Sequence, residues 1–95
     1  MINGDIDKFM AELSYQDHDA VYNGDKYFFN GAQCQFDDNG NVKRATIEIY
    51  NLTKDETIFS VERPSIRECL QALMKAKIFD GKTIYEVEKE IEWTG

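Results

Sequence analysis

The sequence predicts an α+β domain in which an antiparallel sheet of three or four strands carries an N-terminal helix and one or two C-terminal helices. Three observations predict this class. Apolar and polar residues alternate in the middle of the chain, apolar residues recur at helical spacing towards both ends, and turns rich in Asn and Gly separate these segments. At 95 residues, with 42% hydrophobic and 31% charged residues, the chain 1–95 is predicted to form a single domain with one modest core.

Residues 42–52 form the clearest strand of the sequence. Ala45, Ile47 and Ile49 would face the core, and the residues between them, with Tyr50, would face away, because successive side chains of a strand point to opposite faces. A polar turn stands on each side of this segment. We therefore expect an antiparallel neighbour on both sides of the strand.

Two helices are predicted from apolar residues at helical spacing. The first covers about residues 5–14. The second begins at Ser65, which forms a capping box with Glu68, and continues to about Lys75.

Residues 26–36 and 56–62 are predicted to be strands, and residues 20–22 a short one. Asn30-Gly31 is either a bulge in one long strand or the turn of a small hairpin. We favour the hairpin because Asn-Gly between aromatic residues is the stronger signal. Four side chains of one parity in this segment are predicted to join the core: Phe28, Ala32, Cys34 and Phe36.

Residues 83–93 fit two structures. A Thr83–Glu86 capping box and the spacing of the apolar residues favour a helix, whereas the alternation that ends at Trp93 favours a strand. Glu and Lys favour helix, and a strand would set like charges along one face. We therefore predict a helix to about Glu90.

Aromatic residues are predicted on the second face of the sheet. If Phe28 faces the core, then Tyr27, Phe29 and Tyr50 face the other side, where a small two-layer domain should be polar. Such residues are covered either by the N-terminal helix, by a twin subunit or by a partner. We predict an interface with a protein partner or within a homodimer, because aromatic side chains provide large contact area.

The charge of the chain is strongly acidic, with 18 Asp and Glu against 11 Lys and Arg and a net charge of -7. This disfavours direct binding to nucleic acid or to an anionic membrane, both of which require basic residues. The acidic side chains of the tail are predicted either to be a solvated surface or to substitute for phosphates in a basic groove of a partner. They are Glu86, Glu88, Glu90 and Glu92.

Three short motifs resemble known sites, and each fails on spacing or context. Residues 81–83, Gly-Lys-Thr, lack the first glycine and the preceding strand of a phosphate-binding loop. Residues 37–41 resemble a calcium loop, but a threonine stands where the bidentate acid is required. In residues 17–19, His18 stands between two acids without further ligands nearby, so we predict an exposed polar loop there.

Cysteine chemistry is not predicted either. Cys34 and Cys69 lie on apolar stripes, where burial raises the pKa of a thiol and leaves it inert. We predict no catalytic residue, no cofactor and no metal. Two isolated cysteines, with no apolar run of about 18 residues and no signal peptide, predict a protein of the reducing cytoplasm.

Residues 76–82, AKIFDGK, follow a capped helix and precede TIYEVEKEIEW. This segment resembles the C-terminal part of small uncharacterised proteins of Firmicutes and their mobile elements, and the aromatic-Asn-Gly run at residues 29–31 is similar too. The resemblance covers about a third of the chain, and its motifs are a turn and a helix cap, which are structural. It implies no activity and no catalytic or cofactor-binding residue.

The sequence thus predicts a small non-enzymatic cytoplasmic interaction or regulatory protein. The alternative is an acidic inhibitor, of the kind that a mobile element encodes, which imitates nucleic acid and acts on a nucleic-acid-acting protein. Five residues are predicted to contact a partner: Tyr27, Phe29, Tyr50, Glu86 and Glu90.

Overall fold

A computed structural model describes residues 6–94 as an antiparallel five-stranded sheet with two α-helices on one face, which confirms the α+β class. The sheet has five strands instead of three or four, and within residues 6–94 the helix α2 is followed by a fifth strand of the sheet. Residues 1–5, including the predicted start of the first helix, lie outside the described residues, as does residue 95. The elements are α1 (Ile6–Glu12), β1 (His18–Tyr22), β2 (Asp25–Phe36), β3 (Val42–Asn51), β4 (Glu56–Arg63), α2 (Ile66–Lys75), a 3-10 helix (Glu88–Glu90) and β5 (Ile91–Trp93).

The strand β3 has an antiparallel neighbour on each side, as predicted, in the order β4-β3-β2-β1-β5. Its residues Ala45, Ile47 and Ile49 are fully buried, whereas Glu48 is exposed. The predicted facing of the central strand is therefore confirmed.

The strand β2 is continuous through residues 30–31, so the predicted hairpin is wrong and the alternative, a bulge, is correct. Asn30 pairs with Glu48, and the next pair along the ladder joins Gln33 to Thr46. An advance of two positions along β3 therefore corresponds to three positions along β2, so the extra residue lies in β2. The extra residue shifts the register of the ladder.

The bulge is where β2 contacts the chain between α1 and β1. The N–H of Gly31 donates to the carboxylate of Asp17 at 2.7 Å, and the N–H of Ala32 donates to the carbonyl of Leu13 at 2.8 Å. A Cβ on Gly31 would lie 2.7 Å from the carbonyl carbon of Gln16 and closer still to its oxygen. Only glycine permits this approach of two backbones.

The bulge also changes which side chains of β2 face the core. Before it, Tyr27 and Phe29 point inward and are buried; after it, Ala32 and Cys34 pack against the core. The prediction that side chains of one parity face the core throughout residues 26–36 is therefore wrong, because one extra residue exchanges the two faces of a strand. Phe28, which was expected in the core, lies on the opposite face.

An aromatic cluster fills the larger of the two cores. The rings of Phe9 on α1 and Trp93 on β5 stack with centroids 3.7 Å apart, and Phe29 meets Phe9 edge to face at 5.2 Å. All three side chains are at most 1% exposed. These contacts join α1 and β5 to β2 in the middle of the sheet.

The predicted C-terminal helix does not form. The Thr83–Glu86 capping box is present, with its two hydrogen bonds at 3.0 and 3.3 Å, but only a turn and a 3-10 helix follow it. The chain then extends as β5 and pairs with β1. Burial of Trp93 outweighs the helix propensity of the Glu and Lys residues, since large aromatic burial exceeds propensity differences.

The helix α2 begins as predicted. Ser65 caps it, with its hydroxyl oxygen accepting from the N–H of Glu68 at 3.2 Å and its hydroxyl donating to the carboxylate of Glu68 at 3.0 Å. Its residue Cys69 packs with Ala45, Ile47 and other side chains in the smaller core. Of the helices in residues 6–94, neither is long and apolar enough to cross a membrane.

We predict that Gly31→Ala destabilises the protein by about 1–3 kcal/mol, because the added methyl group meets the backbone at Gln16 rather than a movable side chain. Urea unfolding followed by circular dichroism measures this change. Gln35→Ala, at an exposed position of the same strand, is the matched control and should stay within about 0.5 kcal/mol of the parent. Equal stability of Gly31→Ala and the parent would contradict the close approach.

Candidate functional site

One face of the sheet is open within the described residues. Both helices and both buried clusters lie on the inner face, so we call the opposite side the outer face. It consists of the side chains that alternate with the buried ones. The outer face includes Asp19, Val21, Lys26, Phe28, Asn30, Gln33, Arg44, Thr46, Glu48, Tyr50, Thr57, Ser60, Glu62 and Glu92.

Two aromatic residues lie side by side on the outer face. Phe28 and Tyr50 are directly opposite each other on β2 and β3, and each is half-buried. The hydroxyl of Tyr50 donates to the carboxylate of Asp55, and this hydrogen bond raises the pKa of Tyr50. The ring of Tyr50 is therefore held in one position beside Phe28, and opposing pairs of this kind stabilise a sheet.

The charged groups around this pair are mainly acidic. Asp19 is directly opposite Phe28 on β1, and Glu48 lies two residues before Tyr50 on the same face of β3. Lys26 is the basic residue nearest to them in the ladder. Arg44, on the same face of β3, binds Glu62 at 2.8 Å, so it neutralises that acid and not Asp19 or Glu48.

A pocket of about 380 Å³ opens at one end of the outer face, beside the start of β2 and the end of β3. This volume is at the small end of the range of ligand pockets, ~300–1,000 Å³. Leu52 is half exposed there. The lining residues are Asp19, Ala20, Val21, Lys26, Tyr27, Leu52 and Thr94.

The predicted contact residues do not form one surface. Tyr50 lies on the outer face as predicted, but Phe29 is fully buried and Tyr27 is only 8% exposed on the inner face. The predicted outward facing of Tyr27 and Phe29 is wrong because the bulge exchanges the faces of β2. Phe28 takes the place beside Tyr50 that Phe29 was expected to occupy.

The two predicted acidic contacts lie on the other layer of the molecule. The segment that carries Glu86 and Glu90 packs on the inner core through Ile84 and Val87. The carboxylate of Glu86 accepts from the N–H of Thr83 at 3.0 Å, and this hydrogen bond lowers the pKa of Glu86. The carboxylate of Glu86 thus serves as a cap of the local turn.

Glu90 lies at a polar depression near the β1–β2 turn, with Asn23 and Lys82. The hydroxyl of Tyr22 donates there to the carboxylate of Asp80 at 3.0 Å. Burial, followed by this hydrogen bond, raises the pKa of Tyr22 to about 12. The residues that line this depression include members of the turns 23–24 and 80–81, so their polar groups stabilise the contact between these two loops.

His18 is a buried residue and not part of an exposed loop, which corrects the prediction for residues 17–19. It is 5% exposed, its Nε2 lies 3.2 Å from a carboxylate oxygen of Glu12, and its ring packs against Phe9 at 4.8 Å. His18 lies two and four residues before the buried residues Ala20 and Tyr22, so it shares their face of the strand. This spacing was the signal in the sequence that indicated burial.

The cysteines are free thiols in the core region. The thiol of Cys69 donates to the carbonyl of Ala45 at 3.2 Å, and burial raises the pKa of Cys69. Within residues 6–94 there is no group of three or more His, Cys, Asp or Glu side chains placed to hold a metal ion. The outer face, with its aromatic pair and carboxylates, is therefore the candidate site that these residues form.

Comparisons of the chain with protein-family models, with curated proteins and with solved structures found no match. The function is therefore inferred from the geometry of the outer face.

We predict that substitutions at two neighbouring phenylalanines lower the stability by very different amounts. Phe29→Ser should cost about 3–5 kcal/mol because the side chain is fully buried in the aromatic cluster. Phe28→Ser should cost much less, since Phe28 lies on the open face. Thermal unfolding of the two variants measures the difference. Similar losses for both would contradict the facing of β2.

A second prediction concerns Tyr22 at alkaline pH. Because the folded protein keeps this phenol neutral up to a pKa of about 12, whereas the unfolded chain ionises it near its ordinary value of 10.0, the stability that it contributes is present below pH 10. It is lost as the pH rises to about 12. The fall in melting temperature between pH 9 and pH 11 should be smaller for Tyr22→Phe than for the parent.

Tyr15→Phe is the matched control, since Tyr15 is 71% exposed. It should show the same alkaline fall as the parent. A Tyr22→Phe curve that coincides with the parent curve would show that the Tyr22–Asp80 contact does not couple folding to pH.

Proposed function

We propose that this chain is a small non-enzymatic protein that acts by binding another protein through its outer face. The observation that supports this most is the pair formed by Phe28 and Tyr50 on the open side of the sheet, among carboxylates that have few basic neighbours. A second face that met only water would be mainly polar, whereas two adjacent aromatic side chains suit a surface that another molecule covers.

The aromatic pair suits the centre of an interface. Phe28 and Tyr50 are already half-buried and ordered by their neighbours, and the Tyr50 hydroxyl is fixed by Asp55. Little side-chain freedom remains to be lost when a partner covers them, which lowers the cost of binding. Aromatic residues of this kind carry much of the affinity of known interfaces.

The charge of the face indicates the chemistry of the partner. Asp19, Glu48, Glu62 and Glu92 outnumber Lys26 and Arg44 on the outer face, and the chain as a whole carries -7. A partner surface with Lys or Arg around an apolar centre would be attracted, and an acidic one repelled. We therefore propose a basic protein or peptide as the partner.

We also propose that this chain is not an enzyme and that it is located in the cytoplasm. The thiol of Cys69 donates to a backbone carbonyl, and burial raises the pKa of this thiol. Both observations suit a structural role better than a nucleophilic one. The two cysteines are unpaired with each other, as suits a reducing compartment.

Selection from a random peptide library displayed on phage tests the proposal with a defined probe. Peptides that bind the immobilised parent should be enriched in Lys or Arg next to apolar residues. Their affinity for Phe28→Ser should fall at least about tenfold, because a central aromatic contact is lost. Tyr15→Ser, which removes an exposed aromatic residue outside the outer face, is the control and should bind like the parent. Peptides that bind Phe28→Ser as well as the parent would refute the proposed surface.

A second candidate function is inhibition of a nucleic-acid-acting protein by imitation of phosphates. It is favoured by Asp19, Glu48 and Glu92, which lie on one face of three different strands. The basic groove of such a partner would bind these carboxylates in place of a nucleic acid backbone.

Competition distinguishes this second candidate from the first. Duplex DNA should displace the protein from a nucleic-acid-acting partner, and about 0.5 M salt should weaken the complex, since exposed charges are screened. A complex that resists both treatments would count against phosphate imitation and leave the aromatic interface as the mode of binding. A nuclease or integrase encoded beside this protein would favour the inhibitor, as would an origin in a mobile element.

A further inference from the structure

Glu48 is an acidic residue of the outer face with uncharged neighbours on both adjoining strands. It lies opposite Asn30 on β2 and opposite Ser60 on β4. Its side chain is exposed, and its carboxylate has no hydrogen bond and no ion pair within residues 6–94. The charge of Glu48 is therefore available to a molecule that covers this face.

The aromatic pair of the outer face adjoins this carboxylate. Tyr50 follows Glu48 by two residues on the same face of β3, and Phe28 is directly opposite Tyr50. Residues two apart along a strand are separated by about 7 Å, and directly opposite residues on neighbouring strands are closer. One side chain of a partner that lies over the two rings therefore also reaches the carboxylate of Glu48.

The ring of Tyr50 is prepared to receive a positive charge. Its hydroxyl donates to the carboxylate of Asp55, so the ring is held in place and its electrons are polarised by an anion. The face of an aromatic ring is negative and attracts cations, and a phenol that donates to a carboxylate attracts them more strongly. Tyr50 and Glu48 thus favour the same sign of charge in a ligand.

The two basic residues of the outer face lie away from Glu48. Lys26 is two residues before Phe28, whereas Glu48 is at the level of Asn30, two residues after Phe28. Arg44 is four residues before Glu48 on β3 and binds Glu62 at 2.8 Å. Neither of these two side chains neutralises Glu48, and a cation seated between the rings and Glu48 stays clear of both.

Charge and burial together select the chemistry of the side chain that binds here. A purely apolar side chain on the aromatic pair would cover the carboxylate of Glu48 and leave it without a partner, which opposes binding. An acidic or phosphorylated side chain would be repelled by Glu48 and by the net charge of -7. The site therefore requires a cation that also packs on two rings.

Arginine satisfies both requirements better than lysine. The face of its planar, weakly hydrated guanidinium stacks on aromatic rings while its edge N–H groups donate to a carboxylate. The ammonium of lysine is a compact and strongly hydrated charge. We infer that the outer face binds an arginine side chain of its partner, with the guanidinium over Phe28 and Tyr50 and its N–H groups donating to Glu48. This inference rests on the proposed function and names the residue that anchors the basic partner.

Titration of the ¹⁵N-labelled protein with the tripeptide acetyl-Gly-Arg-Gly-amide, followed by NMR, tests the inference. The amide signals of Phe28, Glu48 and Tyr50 should shift in a saturable manner, with a dissociation constant in the millimolar range, since one side chain supplies only part of an interface. The same peptide with Lys in place of Arg should bind at least about threefold more weakly. The peptide with citrulline, which is planar but uncharged, should bind at least about tenfold more weakly.

A matched pair of variants separates the local contact from the net charge of the chain. Glu48→Gln should weaken binding of the arginine tripeptide at least about fivefold, because the charge-assisted hydrogen bonds are lost. Glu56→Gln changes the net charge equally at another exposed position and should bind like the parent. Both variants should keep the parent melting temperature within a few degrees, since both side chains are exposed.

Three results would overturn the inference. The arginine tripeptide could leave the signals of Phe28, Glu48 and Tyr50 unchanged, the lysine tripeptide could bind as tightly as the arginine one, or Glu48→Gln could bind like the parent. The proposed function can survive each of them. Peptides selected from the phage library that need Phe28 but contain no required arginine would retain the outer face as the interface and exclude arginine as its anchor.

Discussion

The bulge in β2 is the constraint on which the rest of the structure depends. It releases the N–H groups of Gly31 and Ala32 from the ladder to β3, and these groups bind Asp17 and the carbonyl of Leu13. The end of α1 is thereby fixed to the middle of the sheet. Through Phe9, the same helix then packs on the strand β5, so α1 connects the bulge of β2 to β5.

Much of the fold could be predicted because its signals are local. The alternation around Ile47 and the Ser65–Glu68 capping box act within a few residues, and both are present as predicted. The bulge and the strand β5 were each one of two alternatives in the sequence, and local signals favoured the wrong one, because both structures depend on residues distant in sequence. Asn-Gly suits a hairpin turn, but here the close contact with Gln16 decides its conformation.

The candidate site was predictable only on one side of the bulge. The facing of Tyr50 followed from the regular alternation of β3, whereas the same rule applied through residues 30–31 placed Phe28 and Phe29 on the wrong faces. His18 was missed for a related reason, since its two acidic neighbours suggested a solvated loop. Its own position in the alternation of β1 indicated the core.

Both edges of the sheet are poorly suited to the addition of a further strand. The edge strand β5 has three residues, and the other edge, β4, carries a bulge beside Thr57 and charged residues at Glu56, Glu62 and Arg63. Short, charged and bulged edges hinder the addition of a further strand. The proposed partner would therefore bind through side chains rather than by extending the backbone ladder. Of the aromatic side chains available for such contacts, Phe28 and Tyr50 on the outer face are half-buried, and Phe36 in the β2–β3 hairpin is exposed.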